Sequence, residues 1–597
     1  MHLVNRKNPF VSRVGLTSLI SAIFLLSGCV SGNGSSKATL GQTKLSGPAT
    51  PPILSNKLIK INQVGYLPNH TKIALVPTTN ATRFEVINVV SGEVAMDGDL
   101  SASQKWSLAG NSVRVADFSA ITEAGEYIIR VAGFPDSKRV NISSDAYLAL
   151  HDGALKAYYF NRAGLELDPT YAGDWARPLG HPDTNVLVHR STASVDRPAG
   201  TVLSSPKGWY DAGDYNKYIV NSGISTYTLL ASYTDFTDFY KDRDIDIPES
   251  GDEMPDILDE ILWNIDWMET MQDPRDGGVY HKLTTLNFEA AVMPHNATSQ
   301  RYVVQKNVGA ALNFAGVMAK ASRVFADVPG YAKKAQDYRA AAISAFEWAQ
   351  DNPSLYYQQP RDVSTGEYGD DDVDGEFAWA AAELFLLTKN TDYLEVYKQK
   401  ASAPETPNWQ DTMTLAYMSL LREGEKLLSV KDYESVKSQF MTYADSVVEA
   451  HNASAYRVAM LEDDFVWGSN AVALNKAMVL LQAYKLESKK AYHSAAIGLL
   501  DYVLGRNPID FSFVTGFGVK TPMDTHHRQS YADDVTAPVP GFVAGGPHTG
   551  RQDDCDYEGR LPATTYSDDW CSYSTNEVTI NWNAPLVYVL TALHTSQ

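Results

Sequence analysis

From about residue 145 to the C-terminal end, apolar side chains recur with a helical period in stretch after stretch, with no strand-like alternation between them. The clearest stretch is Met254, Ile257, Leu258, Ile261, Leu262, Ile265, Met268 and Met271, one apolar stripe along a helix. Comparable stretches lie near 146–163, 214–233, 308–325, 331–350, 375–388, 408–421, 431–449, 468–486, 490–504 and 583–594. About a dozen helices in about 450 residues exclude a parallel α/β fold and leave a large bundle, a solenoid or a closed double ring of helices. No fixed-length repeat is visible, which disfavours a regular solenoid. Long polar, Gly-rich connections at 164–213, 272–304 and 506–582 do not suit a plain bundle, and long loops are where sites are built.

Upstream the pattern changes. Residues 58–142 carry short β-branched runs (59–61, 73–76, 83–87, 113–115, 127–131) broken by Gly, Pro and Asn, which predict a small β-sandwich. Arg6, Lys7 and Arg13 flank an apolar run from Val14 to Leu26 that is too short to span a bilayer and predicts an export signal. It ends in Leu26-Ser27-Gly28-Cys29, which resembles a bacterial lipobox: residues 1–28 would be removed and the Cys29 thiol lipidated. An ordinary secretory signal with an incidental Cys is the alternative. Val30 after the Cys, by resemblance to Gram-negative lipoproteins, favours the outer membrane, facing the periplasm or the cell surface. Residues 29–57 are rich in Ser, Gly, Thr, Lys and Pro and predict a flexible tether reaching roughly 30 Å.

With 71 acidic against 50 basic residues the chain carries −21, so general nucleic-acid binding is not expected. Aromatics are abundant at 33 Tyr, 20 Phe and 11 Trp, a supply of flat faces that suits a core or a sugar cleft. After Cys29 only Cys555 and Cys571 remain, and export to an oxidising compartment predicts that they pair. A metal site is the competing reading, but neither has a second Cys or a close His at ligand spacing.

Three regions offer chemistry. Gly208-Trp209-Tyr210-Asp211-Ala212-Gly213-Asp214-Tyr215-Asn216-Lys217-Tyr218 sets two carboxylates three apart at a predicted helix start. Asp in that position is commonly a cap, yet capping leaves the surrounding aromatics unexplained. Near the other end, Glu577 lies just ahead of a last helix expected to start at Asn583-Ala584-Pro585. Between them His526-His527-Arg528 suggests a metal site, a phosphate site or, better, donors to substrate hydroxyls.

Taken together these regions resemble glycoside hydrolase family 9, the inverting cellulase family, over about 145–595. Ser512-x-Val514-Thr515-x-x-Gly518-x-Lys520 followed by His526-x-Arg528 is similar to one family signature, with Thr525 departing from the usual apolar residue or Pro. Tyr566-x-Asp568-x4-Tyr573-x3-Glu577-x-Thr579-x3-Asn583-Ala584 is similar to the second without departure. Trp467-Gly468-Ser469-Asn470 and Leu504-Gly505-Arg506-Asn507-Pro508 add to the likeness, and 61–68 resembles the opening strand of the immunoglobulin-like domain found in one branch. The resemblance implies that fold for 58–142 and an (α/α)6 barrel for 145–597.

It also implies roles. Asp214 matches the general base on water, Asp211 the carboxylate that helps hold the water, and Glu577 the general acid. Inversion needs the two carboxyl groups roughly 6.5–9.5 Å apart with unlike environments. His526 and Arg528 match sugar-binding residues, Asp568 a carboxylate that orients the site, and Trp209, Trp467 and Tyr573 are candidate stacking faces, with core roles open for each Trp. The substrate implied is a β-1,4-glucan chain or oligosaccharide. Xyloglucan, mixed-linkage glucan, glucosamine chains and non-catalytic glycan binding are the alternatives. No carbohydrate-binding module is expected after the last helix, and a monomer is expected.

The acidic run 365–374 offers hard oxygens of the kind Ca²⁺ takes, and a family calcium site implies Thr365, Asp370, Asp371 and Asp411 as ligands, against a solvated loop capping the next helix. The Cys residues that hold zinc in some relatives are missing around Arg162-Ala163 and Gly180-His181, so no zinc is expected.

Overall fold

The computed structural model describes residues 57–596. Cys29, the signal segment 1–28 and the tether up to residue 56 lie outside the described residues.

Two antiparallel sheets form the N-terminal sandwich. One runs in the order Ile73–Pro77, Asn111–Asp117, Gln104–Trp106, the other Val94–Asp99, Arg83–Asn88, Gly125–Arg130, Val140–Ile142. Strand alternation directs Phe84, Val86, Tyr127 and Ile129 into the shared core with Val76 and Phe118, while Arg83 and Glu85 face solvent. The 59–61 run contributes only a bridge, Lys60 to Leu75. The next residues instead grip the helical domain: Asn62 Nδ2 donates to Asp501 (2.9 Å), and Gln63 Oε1 accepts from the Val519 and Lys520 amides (3.0 and 2.9 Å).

Beyond them the chain builds a double ring of helices, an (α/α)6 barrel. Six helices pack side by side as the inner ring: Ile219–Asp235, Val308–Phe325, Asp374–Thr388, Met413–Glu423, Ser469–Glu487 and Ile580–Thr595. Each follows in sequence an outer helix: Leu148–Phe160, Asp256–Thr270, Ala332–Asp351, Thr391–Lys400, Val430–Ala453 and Lys490–Val503. Composition explains the sorting. The inner helix at 374–388 is buried almost all round, its alanines at 378 and 380–382 allowing close approach, whereas Ala332–Asp351 buries one face only.

Thr391–Lys400 was not expected, and several boundaries differ from expectation, two of them beside the site. The last helix begins at Ile580, so Pro585 lies within it at the cost of one i→i−4 bond, and Asn583 instead bonds the Val543 amide and the Ala154 and Gly541 carbonyls. The helix expected from 214 begins at Ile219, because Lys217–Tyr218 pair with Lys282 and Leu283 in a five-stranded sheet of very short strands. Two- and three-residue strands carry too little period to be read from sequence.

Candidate active site

The segment 211–216 is a tight loop closed by the Asp211 amide donating to the Asn216 carbonyl at 3.0 Å. Neither carboxylate caps the helix at Ile219. Both are buried, so both need partners. Asp211 accepts from Asn221 Nδ2 (2.9 and 3.1 Å) and from the Tyr368 hydroxyl (2.9 Å). Asp214 Oδ2 accepts from the Tyr218 hydroxyl (3.1 Å) and from Asn216.

Glu577 follows the single turn Tyr573–Asn576 in extended conformation, paired with His526 in a parallel bridge, its carbonyl accepting from the Gly545 amide at 2.9 Å. Backbone bonds staple this segment to the aspartate loop: the Thr579 hydroxyl and the Ile580 amide both donate to the Asp211 carbonyl at 2.9 Å, across 368 positions of sequence in the first case. Arg528 adds its amide (3.1 Å) and Nη1 (2.7 Å) to the Gly213 carbonyl. Gly213 is required here, since a Cβ would stand 2.1 Å from the His526 carbonyl oxygen.

The three carboxyl groups feel one another. Burial and then the two aspartates push Glu577 well above the usual range, opposed by Arg528 and the Gly213 amide. Burial and Asp214 push Asp211 up to about 8. Burial raises Asp214 as well, but Arg528, Asn216 and Tyr218 hold it back. A carboxyl kept protonated beside one kept ionisable is the pairing that acid–base cleavage of an acetal requires.

The sequence matches the family model for glycosyl hydrolase family 9 over residues 147–590 and that for the cellulase N-terminal ig-like domain over 55–135. The chain is a member of glycosyl hydrolase family 9. It is 43% identical over 558 residues, 91% of this chain and 94% of the other, to the xyloglucan-specific endo-beta-1,4-glucanase BoGH9A of Bacteroides ovatus. Among solved structures, Bacteroides ovatus GH9 superposes with a TM-score of 0.85 at 42% identity, covering 91% of this chain and 99% of that one. AaCel9A in complex with cellobiose-like isofagomine superposes at 0.84 with 31% identity, covering 90% and 100%.

Around the carboxylates of this family 9 site, most of the expected residues gather. His526 Nδ1 lies 2.8 Å from the Trp570 carbonyl, and since a carbonyl only accepts, Nδ1 carries the proton. Burial lowers the imidazole to about 4, which favours the neutral ring with Nε2 as an acceptor. Arg528 lies over the exposed Phe288 ring and donates Nε to the Glu289 carbonyl at 2.9 Å. Asp568 takes the Met523 and Asp524 amides and Asn576 Nδ2, so it braces the turn leading to His526. Trp467, 41% exposed, meets the Tyr573 ring at 5.5 Å.

Trp209 is a correction. It is fully buried, its ring against Tyr158 and its Nε1 donating to Glu260 at 2.7 Å, so it supports the loop from behind and offers no face to a sugar. Its buried carboxylate partner was out of sight in the sequence.

The proposed metal set divides. Thr365 is buried with its hydroxyl engaged by Lys282 Nζ (3.2 Å) and Thr284 (2.7 Å), and Asp371 is exposed. Asp370 Oδ2 and Glu376 Oε2 are buried without hydrogen-bond partners, and Glu376, pushed well up by burial and then by Asp370 and Asp411, is the residue the sequence reading missed. Among the described residues only Cys555, Asp569 and Cys571 bring three ligand atoms within 4.8 Å, and these cysteines are bonded to each other.

Tyr368 was missed too. It sits at φ +48°, a left-handed conformation costly for a bulky residue, and that bend delivers its hydroxyl to Asp211. Lys282 holds the loop by bonding Gln359, Thr365 and Gly366. The Tyr-Gly dipeptide at 368–369 is the only sequence trace of that bend.

Proposed function

We propose that this chain hydrolyses β-1,4-glucosidic bonds in cellulose-type glucans or their oligosaccharides with inversion at the anomeric carbon. Glu577 gives its proton to the leaving glycosidic oxygen as the bond breaks. Asp214 takes a proton from the water that attacks the opposite face, and Asp211, fixed by Asn221 and Tyr368, holds that water. After each turnover solvent returns the proton to Glu577 and removes it from Asp214. Arg528 and His526 grip the sugar beside the bond, His526 accepting at Nε2, while Trp467 and Tyr573 offer ring faces.

The observation that carries this reading is geometric: Thr579 and Ile580 staple the Glu577 segment to the Asp211 carbonyl, which sets Glu577 beside both aspartates. A second reading, xyloglucan as the preferred chain, is favoured by the 43% identity to an enzyme named for that substrate. Reducing-end release from carboxymethyl-cellulose, cellohexaose and xyloglucan by the wild type and by Glu577→Gln tests both. Release from a bare or a branched chain chooses between them, and release from none, or equal release by the variant, ends the proposal.

Our reading also has Cys29 lipidated and the enzyme held as a monomer at the outer membrane, to be tested by fatty-acid labelling of wild type and Cys29→Ser. Calcium, if bound, would be held by Asp370 and Glu376, whose hard oxygens include one buried, unpartnered atom each, and would supply charge neutralisation there. A melting temperature lowered by chelator in wild type and insensitive to it in Glu376→Gln is the expected outcome.

A further inference from the structure

Asp183 is a buried carboxylate that the chemistry above leaves unused, its side chain 2% exposed. It closes the turn His181-Pro182-Asp183, in which both residues flanking the proline sit in the left-handed region, at φ +47° and +49°. Neither is glycine, so the bend is costly, and such bends persist only where the surrounding structure over-determines them. What holds this turn is the segment that carries Asp211 and Asp214.

Three grips join the two. Asp183 Oδ2 lies 2.7 Å from Lys217 Nζ, and that buried ammonium also donates to the Lys207 carbonyl at 2.6 Å. Asp183 Oδ1 lies 3.4 Å from Arg301 Nε, and Arg301 Nη1 donates to the Tyr215 carbonyl at 2.8 Å. His181 Nδ1 lies 2.8 Å from the Tyr210 hydroxyl, and the Tyr210 ring meets that of Tyr215 at 4.9 Å. The segment is thus held at 210, 215 and 217, with Asp211 and Asp214 between the outer two grips. None of these bonds reaches the Glu577 segment. A buried ion pair contributes little net stability, because desolvation offsets the attraction, so what this group supplies is placement.

We propose that Asp183 is a positioning residue for the hydrolysis, fixing through Lys217 and Arg301 the place at which Asp214 meets the attacking water. His181 acts in parallel on Tyr210, the neighbour of Asp211. The inference rests on the hydrolase reading above. It adds that the water side of the reaction depends on a carboxylate buried away from both water and sugar, so the defect on losing it belongs to the base and not to the acid.

Asp183→Asn keeps the shape and removes the charge. Tyr210→Phe removes only the hydroxyl that His181 meets, and it carries the test should the first variant fail to fold. KM and kcat are measured on cellohexaose or its xylosylated counterpart, whichever the wild type cleaves, and on 2,4-dinitrophenyl β-cellobioside, whose leaving group needs no proton. Asp183→Asn is expected to lower kcat about 10²-fold and Tyr210→Phe about fivefold, with KM little changed. The loss should be as large on the dinitrophenyl substrate, since the water still needs its base, whereas Glu577→Gln should recover on it. A wild-type kcat in either folded variant, a loss confined to KM, or a loss that the dinitrophenyl substrate repairs overturns the positioning role while leaving the hydrolase intact. A wild type that cleaves neither backbone overturns the hydrolase reading itself, and this role with it.

Discussion

The aspartate loop and the Glu577 segment contribute the same functional group to one site, yet the fold treats them differently. Asp211 and Asp214 lie on a loop closed on itself, each carboxylate tied to two side chains. Glu577 stands on extended backbone, its proton favoured first by burial and then by the two aspartates, and opposed by Arg528 and the Gly213 amide. Partners that favour the charged form hold Asp214 back, whereas burial and the two negative neighbours favour the proton on Glu577. Function follows from unequal satisfaction rather than from the carboxyl groups themselves.

Removing either group should cost most. Asp214→Asn and Glu577→Gln are each expected to lower kcat by about 10²–10⁴-fold with oligosaccharide binding retained, as single-turnover assays and calorimetry would read. A near-normal rate in one of them removes that residue from its role. The segment carrying Glu577 is also the one braced by the Cys555–Cys571 bond, which closes a span of 16 positions. Cys555→Ser/Cys571→Ser is expected to lose about 3 kcal/mol of stability in denaturant titrations, through the chain entropy the bond removes from the unfolded state.

Smaller effects sharpen the contrast. Tyr368→Phe takes one donor from Asp211 and should slow turnover about tenfold without a matching rise in KM. The pH profile carries the sign of the electrostatics. Activity falls as pH drops through the raised Asp214 value, since the base must be ionised. It falls again as pH rises through the still higher Glu577 value, since the acid must keep its proton. The whole bell should thus lie above the range of free carboxyl groups. Asp211→Asn deletes a negative neighbour of Glu577, so its alkaline limb should move to lower pH, and a limb that stays in place would remove Asp211 from the coupled set.

Much of this was legible beforehand, for a physical reason. Helix period survives in a sequence because burial repeats every turn, so eleven of the twelve barrel helices announced themselves, the ten-residue Thr391–Lys400 escaping, and the signature spacings pointed to the carboxylates that the fold gathers. What stayed hidden were contacts between distant segments. Trp209 and Trp467 look alike in sequence, and only the position of Glu260 buries one while the other meets solvent beside Tyr573. Thr365 read as a ligand because Lys282, 83 positions away, was not known to claim it. Glu376 escaped notice because a buried carboxylate inside an inner helix looks like any first-turn acid.

The account depends on water attacking from the face opposite the leaving group, with Asp214 beneath the sugar and Glu577 beside the bond. Proton NMR of the first products from a β-1,4-linked oligosaccharide reads this directly. The new reducing end should appear first as the α-anomer and then mutarotate. A β-anomer formed first would mean retention, and would contradict the division of labour drawn between these carboxyl groups.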